Sequence, residues 1–283
     1  MPPGCCVFTE DWSPAPLLER SWIGHDTLLL TFGLQDAGRP LGLSTCACLL
    51  ARAGSGEGVV RPYTPVSTNA MLGAFQLMVK VYPGGAMSEQ LAQLPIGASI
   101  DFKHIPFNAR HKSLKPEPSS RAFNSMLAFA PRVLQVKIQY PFGARDIVML
   151  VGGTGIAPML QALHALLGTP SDHSRTTVLY SSKSQADILA RDTLDAWAAQ
   201  HPHRLRVHHT LTREPEGTGW TGRRGRIDAA LLSEHLPPPS EDVLIFVCGP
   251  PQMYDTLCGP RTDEQLSGLL AQMGYRADQI CKF

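Results

Sequence analysis

The stretch "MLVGGTGIAPMLQAL", residues 149–163, decides the reading of this chain. An apolar run that begins at Ile147 meets Gly152, Gly153, Thr154 and Gly155, and then a segment with helical periodicity whose early Pro158 suits a first turn. Strand, glycine turn and helix in that order open a βαβ unit. Glycines let the backbone come close to a ligand, and the helix N-terminus offers unpaired N–H groups and a positive dipole end to a pyrophosphate. Taken alone, such a turn is also compatible with a tight strand-to-helix connection that binds nothing.

Toward the C-terminus the same alternation continues. "TTVLYSS" (176–182) reads as a strand, "ILARDTLDAWAAQH" (188–201) as a helix, "LRVHHTLT" (205–212) as a strand and "VLIFVCGP" (243–250) as another. Strands alternating with helices predict a parallel, doubly wound sheet. Its last strand closes on "VLIFVCGPPQMYDTL" (243–257), so Cys248, Gly249, Pro250 and Pro251 share the carboxyl edge of the sheet with the glycine turn and face the same crevice. That is the place for a nicotinamide, although Cys248 also reads as a small buried hydrophobe.

Toward the N-terminus the texture changes. From Leu17 to Phe102 short apolar or alternating runs, "TLLLTFGL", "TCACLLAR" and "FQLMVKVY", are separated by Gly, Pro and Asn, which predicts antiparallel strands closing into a small β-barrel. The expected organisation is an N-terminal segment 1–16, a barrel domain 17–143 with an insertion at about 108–135, and an α/β domain 144–283. Two domains suit 283 residues of which 43% are hydrophobic, enough for two separate cores.

Charge and cysteines narrow the class further. The net charge of +1 argues against non-specific nucleic-acid binding. The front half (1–145) carries 13 basic and 9 acidic residues while the rest carries 12 and 15, so the front half is the side that would attract an acidic partner. No run approaches the roughly 18 apolar residues of a membrane helix. Seven scattered cysteines form neither a disulfide framework nor an iron–sulfur spacing, which fits a reducing compartment. Cys5-Cys6 is compatible with lipidation or with an unordered terminus.

Two motifs in the front half fit a flat, charged ligand. In "VVRPYTPVST" (59–68) Arg61 is suited to a pyrophosphate and Tyr63 to the face of a heteroaromatic ring, while Thr64 and Ser67 suit polar atoms of the same molecule. In "PGGAMSEQL" (83–91) Gly84-Gly85 precede a helix whose first amides and Ser88 suit the pyrophosphate, though an ordinary N-cap reads the same way.

RPYTPVST, PGGAMS, GGTGIAPM and CGPPQM in this order resemble the ferredoxin-NADP reductase superfamily, and within it the NADH–cytochrome b5 reductase family; the resemblance runs from "ERSWIGHDTLLLTFGL" to Phe283. It implies a Greek-key FAD-binding barrel followed by a nicotinamide-binding domain. It assigns FAD to Arg61, Pro62, Tyr63, Thr64, Ser67, Gly85, Met87 and Ser88, and places Lys80 and Tyr82 of "VKVY" beside flavin and nucleotide. It puts Gly153, Thr154, Gly155 and Pro158 along the dinucleotide, and Cys248, Gly249, Pro250 and Met253 near the nicotinamide. Thr64, near the flavin's reactive nitrogen, and Cys248, aligning the nicotinamide, are the implied catalytic positions; no metal is implied.

Asp187 matches the acidic residue of NADH-preferring members, whereas Ser182 and Lys183 lie closer to the strand end and suit the extra phosphate of NADPH. The implied activity passes a hydride from NADH to FAD and single electrons onward to a haem protein such as cytochrome b5. The implied setting is intracellular, cytoplasmic or peripheral to an endoplasmic reticulum or mitochondrial outer membrane. The alternatives are a diaphorase or quinone reductase, and a flavin-binding regulatory protein without turnover. The chain departs from the family pattern at Ala86, which stands for a lysine, at "STCACLL", which stands for a Gly-Gln-His run, and at Gln252, which stands for a third proline.

Overall fold

The computed structural model describes residues 5–54, 58–105 and 140–283, so the expected insertion at 108–135 lies outside the described residues. Six strands build the first domain: β1 (Ser13–Trp22), β2 (Thr27–Gly33), β3 (Leu49–Ala53), β4 (Val59–Tyr63), β5 (Ala74–Lys80) and β6 (Ser99–His104). They pair antiparallel in the order β4-β3-β6-β1-β2-β5. Just past β4 the chain bends onto the far edge, where Val66 N–H donates to Gln76 O at 2.9 Å and the Gln76 N–H donates to Ser67 Oγ at 2.9 Å. The sheet thereby curls toward closure, which leaves few unpaired edge groups.

Alternation along these strands turns Leu28, Leu30, Phe32, Phe75, Leu77 and Phe102 inward, all fully buried. Phe32, Phe75 and Phe102 form the centre with Phe8, their ring centroids 5.0–5.8 Å apart. Phe8 thus moves the start of the domain ahead of residue 17: β1 begins at Ser13, and Val7 N–H donates to Leu41 O at 2.9 Å. Helix α1 (Ala86–Gln93) plugs one end of the barrel with Met87 and Leu91. Arg20 closes its C-terminus, Nη1 donating to Ala92 O and Leu94 O.

The second domain is a parallel sheet of β7 (Asp146–Gly152), β8 (Arg175–Ser182), β9 (Leu205–Leu211), β10 (Arg223–Arg224), β11 (Val243–Cys248) and β12 (Ile280–Lys282), ordered β10-β9-β8-β7-β11-β12. β7 is buried along its whole length because both faces are covered, which explains why its sequence is continuously apolar after Asp146. Ile147, Met149 and Val151 pack against helix α2 (Ile156–Gly168), and Leu194 of helix α3 (Arg191–Gln200) joins that face. Val148 and Leu150 face helices α4 (Ala229–His235), α5 (Pro251–Leu257) and α6 (Gly268–Gln272). Strands run to one side of β7 through β8, β9 and β10 and to the other through β11. The crevice between β7 and β11 is therefore the topological switch point, where such sheets bind ligands.

Two expected elements are shorter than their sequence suggests. Of "TCACLLAR" only the last four residues belong to β3 (Leu49–Ala53), because Cys46 sits at φ 64° and turns the chain before it. The helix expected from Ile188 starts at Arg191, after a 3₁₀ turn at Gln185–Asp187 and Ala190 at φ 55°.

Candidate functional site

Every residue expected at the site except Ser67 lines one cleft of about 910 Å³ between the two domains. Ser67 faces away: its hydroxyl accepts from the β5 backbone and its carbonyl lies 3.3 Å from Gln161 Nε2, so it stitches the sheet instead of meeting a ligand.

The barrel wall of the cleft is the end of β4 and the start of α1. Pairing with β3 holds Arg61 opposite Ala51 and Tyr63 opposite Leu49. Arg61 is exposed, and one of its guanidinium nitrogens donates to the neighbouring Val60 O at 2.7 Å. Burial pushes the Tyr63 phenol up to about 12, so its ring meets any ligand uncharged. At α1 no side chain caps the N-terminus. The Ser88 hydroxyl donates to Gly85 O and accepts from Tyr82 N–H, which fixes the Gly84-Gly85 turn. Its first amides are thereby left to an anion from the cleft.

The opposite wall is the glycine turn. Gly153 at φ 55° has open space where a side chain would stand, and Ile156 N–H turns back to the Gly153 and Thr154 carbonyls in one 3₁₀ turn. At Gly155 the constraint is contact: an added Cβ would lie 2.1 Å from the Cys248 carbonyl oxygen. The two loops at the switch point touch there, backbone against backbone. Tyr180, fully buried on β8, donates its hydroxyl to Gly153 O at 3.0 Å and accepts from Leu189 N–H at 3.3 Å.

Burial lifts the Cys248 thiol to about 11, so it is a thiol at neutral pH and a contact surface instead of a nucleophile. Behind it Tyr254 donates to the Phe283 carbonyl, and Phe283 N–H donates to Val247 O at 3.0 Å, which brings the terminal aromatic ring to the cleft. Sequence reasoning passed over Phe283, Cys48, Arg213 and Arg226, all of which line the cleft. The signal for Phe283 was the closing run Ile280-Cys281-Lys282-Phe283, of strand character and ending on an aromatic residue; the others depend on how the chain folds back.

Lys80 and Asp187 meet across the domains. Lys80 Nζ lies 2.8 Å from Asp187 Oδ1 and also pairs with Asp26. Burial pulls the ammonium pKa down, but the Asp187 and Asp26 carboxylates outweigh it and hold it above its ordinary value. For Asp187 burial raises the pKa, while Lys80 and Ser184 outweigh that and hold it low. Asp187 Oδ2 accepts from both the N–H and the hydroxyl of Ser184, a capping box on the 3₁₀ turn. Three of the roughly four acceptor positions of this carboxylate are taken. His25 stands at 3.8 Å. His25, Asp26 and Asp187 come close enough to suit a metal, but the Lys80 ammonium already supplies the positive charge among them.

A second interdomain tie lies on the far side of α2. Gln161 Nε2 donates to Pro65 O and its Oε1 accepts from Cys46 N–H, both at 2.7 Å, while Cys46 Sγ donates to Pro158 O at 3.1 Å.

The donor set suits a flavin dinucleotide on the barrel side and a second dinucleotide on the sheet side. Each wall offers an uncapped turn of backbone amides, and the cleft is open enough for two flat groups to meet between them. Comparison with known proteins points the same way. Residues 14–105 match the oxidoreductase FAD-binding domain family and residues 149–259 the oxidoreductase NAD-binding domain family. The chain is 34% identical over 290 residues to NADH-cytochrome b5 reductase 2 of Aspergillus clavatus, covering 98% of this chain and 80% of that protein. It is 35% identical over 260 residues to the protein of the same name in Xenopus laevis, covering 87% and 81%. Among solved structures, the cytochrome b5 reductase domain of Ulva prolifera nitrate reductase superposes with a TM-score of 0.76 at 30% identity, over 96% of this chain and 97% of that one. A ferredoxin NADP+ reductase from Neisseria gonorrhoeae shares the fold, with a TM-score of 0.63 at 20% identity over 95% and 96%.

Proposed function

The chain belongs to the NADH–cytochrome b5 reductase family of flavoprotein oxidoreductases, and from that premise we propose that it takes a hydride from NADH onto FAD and passes electrons one at a time to a haem protein such as cytochrome b5. The observation that carries this reading is the shared cleft: two uncapped backbone turns, one per domain, face each other across it, with Cys248 at the floor. FAD, when bound, supplies a centre that accepts two electrons together and releases them singly. The chain's own part is to bind, orient and exclude water.

On the barrel side, Arg61 and the first α1 amides at Met87 and Ser88 would hold the pyrophosphate of FAD, with Gly85, whose own N–H donates to Tyr82 O at 2.8 Å, shaping the turn that presents them. The Tyr63 ring, with Pro62 beside it, would offer a face to the flavin, and the Thr64 hydroxyl would be the donor to its reactive nitrogen. Lys80 and Tyr82 border flavin and nucleotide together. On the sheet side, Gly153, Thr154 and Gly155 receive the pyrophosphate of NADH at the start of α2, with Pro158 in its first turn. Cys248, Gly249, Pro250 and Met253 form a surface against which the nicotinamide lies. Asp187 keeps one acceptor position for a ribose hydroxyl. Hydride transfer needs no acid or base at the reacting carbon, so the lining residues would serve to hold the two flat groups together and keep water out.

The partner lies outside the chain. An acidic haem protein suits the excess of basic residues in the first 145 positions. No helix among the described residues is long and apolar enough to cross a membrane, and no disulfide joins any of the seven cysteines. The second point supports an intracellular setting, in the cytoplasm or at the surface of an endoplasmic reticulum or mitochondrial outer membrane.

The test is an anaerobic rapid mix of the FAD-loaded protein with NADH, followed by addition of oxidised cytochrome b5. Loss of flavin absorbance and then stoichiometric haem reduction is the expected sequence. A flavin that stays oxidised would remove the catalytic reading. A flavin that is reduced but passes electrons only to small quinones would remove the haem partner.

A further inference from the structure

We infer that Gln161 is a positioning residue for hydride transfer: through Thr64 on one side and the first turn of α2 on the other, it sets how closely the flavin and the nicotinamide approach. The inference rests on the reading that the cleft holds both rings, and it concerns a side chain that meets neither of them.

Gln161 is buried and lies outside the cleft, as do Pro65 and Cys46. Its Nε2 donates to Pro65 O at 2.7 Å and lies 3.3 Å from Ser67 O, and its Oε1 accepts from Cys46 N–H at 2.7 Å. A carboxamide offers two donors and an acceptor without a net charge, so one buried group answers all three backbone positions. Cys46 meets it in a left-handed conformation, φ 64°, that residues other than glycine seldom adopt. The Cys46 thiol turns to the same helix and donates to Pro158 O at 3.1 Å. Pro158 and Gln161 stand three residues apart and so share one face of α2. Two separate barrel segments, one at Cys46 and one at Pro65–Ser67, therefore close on a single helical turn.

These contacts stand next to the groups that would face the rings. Pro65 directly follows Thr64, the donor proposed for the flavin's reactive nitrogen. Pro158 itself lines the cleft, and the glycine turn Gly153–Gly155 runs straight into α2. The Cys248 loop is packed backbone to backbone on Gly155, so it moves with that end of the helix. A displacement of the amide thus shifts Thr64 against the whole nicotinamide wall. Misplacing reacting groups by about 1 Å costs about a hundredfold in rate. Affinity for each cofactor rests mainly on contacts within its own domain and depends far less on this relation. The expected signature is a loss of rate without a loss of affinity, whereas a contact that only stabilised the fold would leave the rate of the folded protein unchanged.

The experiment is anaerobic rapid mixing of FAD-loaded Gln161→Glu with NADH. Its carboxylate keeps the acceptor for Cys46 N–H but sets a negative charge against the Pro65 and Ser67 carbonyls; protonation restores a donor, and burial raises the pH at which this happens. At saturating NADH the rate of flavin reduction should fall roughly tenfold to a hundredfold at about pH 8.5 and return to within about threefold of the native rate near about pH 5.5. The native rate should change less than about twofold over that range, and the NADH dissociation constant and the flavin content of the variant should stay within about threefold of native. A readout without turnover is the long-wavelength absorbance of stacked rings when NAD+ is added to dithionite-reduced protein, which should weaken in the variant at the higher pH. Cys46→Gly suits the left-handed backbone and deletes only the thiol bond to Pro158, so it folds even if the glutamate variant does not; it should slow reduction by about threefold with NADH affinity unchanged. Variants reduced at the native rate, or slowed only in step with lost flavin or weakened NADH, would overturn the inference and leave the proposed function standing. A native protein that NADH does not reduce, and that gives no such absorbance with NAD+, would remove the proposed function and the inference with it.

Discussion

Replacing Lys80 by methionine should cost more stability than replacing Asp187 by asparagine, although the two residues form one ion pair. The Lys80 and Asp187 side chains are only 9% and 11% exposed, and Asp26, the other partner of Lys80, is 27% exposed. At 2.8 Å the gross attraction is about 6 kcal/mol with an effective dielectric of 20, most of it offset by desolvation. Lys80→Met leaves two carboxylates facing each other with only His25 nearby. Removing one member of a buried pair costs about 3–5 kcal/mol, and the Ser184 bonds to Asp187 and the partial exposure of Asp26 reduce this to about 2–3 kcal/mol. Asp187→Asn leaves Lys80 still paired with Asp26, at a cost near 1 kcal/mol. The measurement is urea unfolding of each variant at several pH values. With a slope near 3 kcal/mol per molar, Lys80→Met should shift the midpoint by about 0.7–1 M and Asp187→Asn by about a third of a molar. Lys80 has a raised pKa, so its contribution is complete below the ordinary lysine value and fades only as pH rises through the folded value. Asp187 has a lowered pKa, so its contribution is complete above the ordinary carboxylate value and fades as pH falls through the folded one. The penalty should therefore be flat from about pH 5 to pH 10 and shrink in stronger acid. Equal shifts for the two variants, or a penalty that vanishes near pH 7, would refute this account.

Gly155→Ala forces a Cβ to within 2.1 Å of the Cys248 carbonyl oxygen, so it should separate the two loops and raise the KM for NADH at least about tenfold, read by steady-state kinetics. Arg61→Ala should release FAD on desalting, measured by flavin absorbance per protein; retention of full flavin would remove Arg61 from the pyrophosphate site. Tyr180→Phe deletes a hydroxyl that bridges Gly153 O and Leu189 N–H, and should cost about 1–2 kcal/mol in thermal unfolding while raising the KM for nucleotide more than it lowers kcat. Asp146, whose pKa burial raises but Arg175 and Arg145 hold low overall, anchors the start of β7. Its stabilisation should be full above about pH 4 and lost as pH falls through its lowered value, so Asp146→Asn should flatten the acid limb of the stability profile.

Much of this architecture was legible because β7 is apolar from Ile147 onward and β5 largely alternates, two patterns that burial on two faces and on one face impose. The four glycine- and proline-marked turns were legible because each needs residue types that little else requires. What escaped depends on distant parts of the chain meeting. Ser67 reads as a ligand group beside Thr64, yet the strand after it turns the hydroxyl to Gln76. Asp187 reads as a ribose acceptor, and only the packing of β5 against the second domain reveals Lys80 beside it. Arg213 and Arg226 are ordinary loop cations in sequence, and become a group only when β8, β9 and β10 lie side by side.

Gln161 gives the molecule its indivisibility. It sits five residues into α2, about 8 Å along the axis from the end that faces the nucleotide, and it grips Pro65 and Cys46 of the barrel with a single amide. One helix thus acts as a ruler between the two halves of the cleft. A chimera that exchanged the second domain for a relative's at the chain boundary would keep both folds and both pockets, yet lose the gauge between them. The unit that must be inherited together is the α2 helix with the Pro65 and Cys46 loops, a module that the order of the sequence divides.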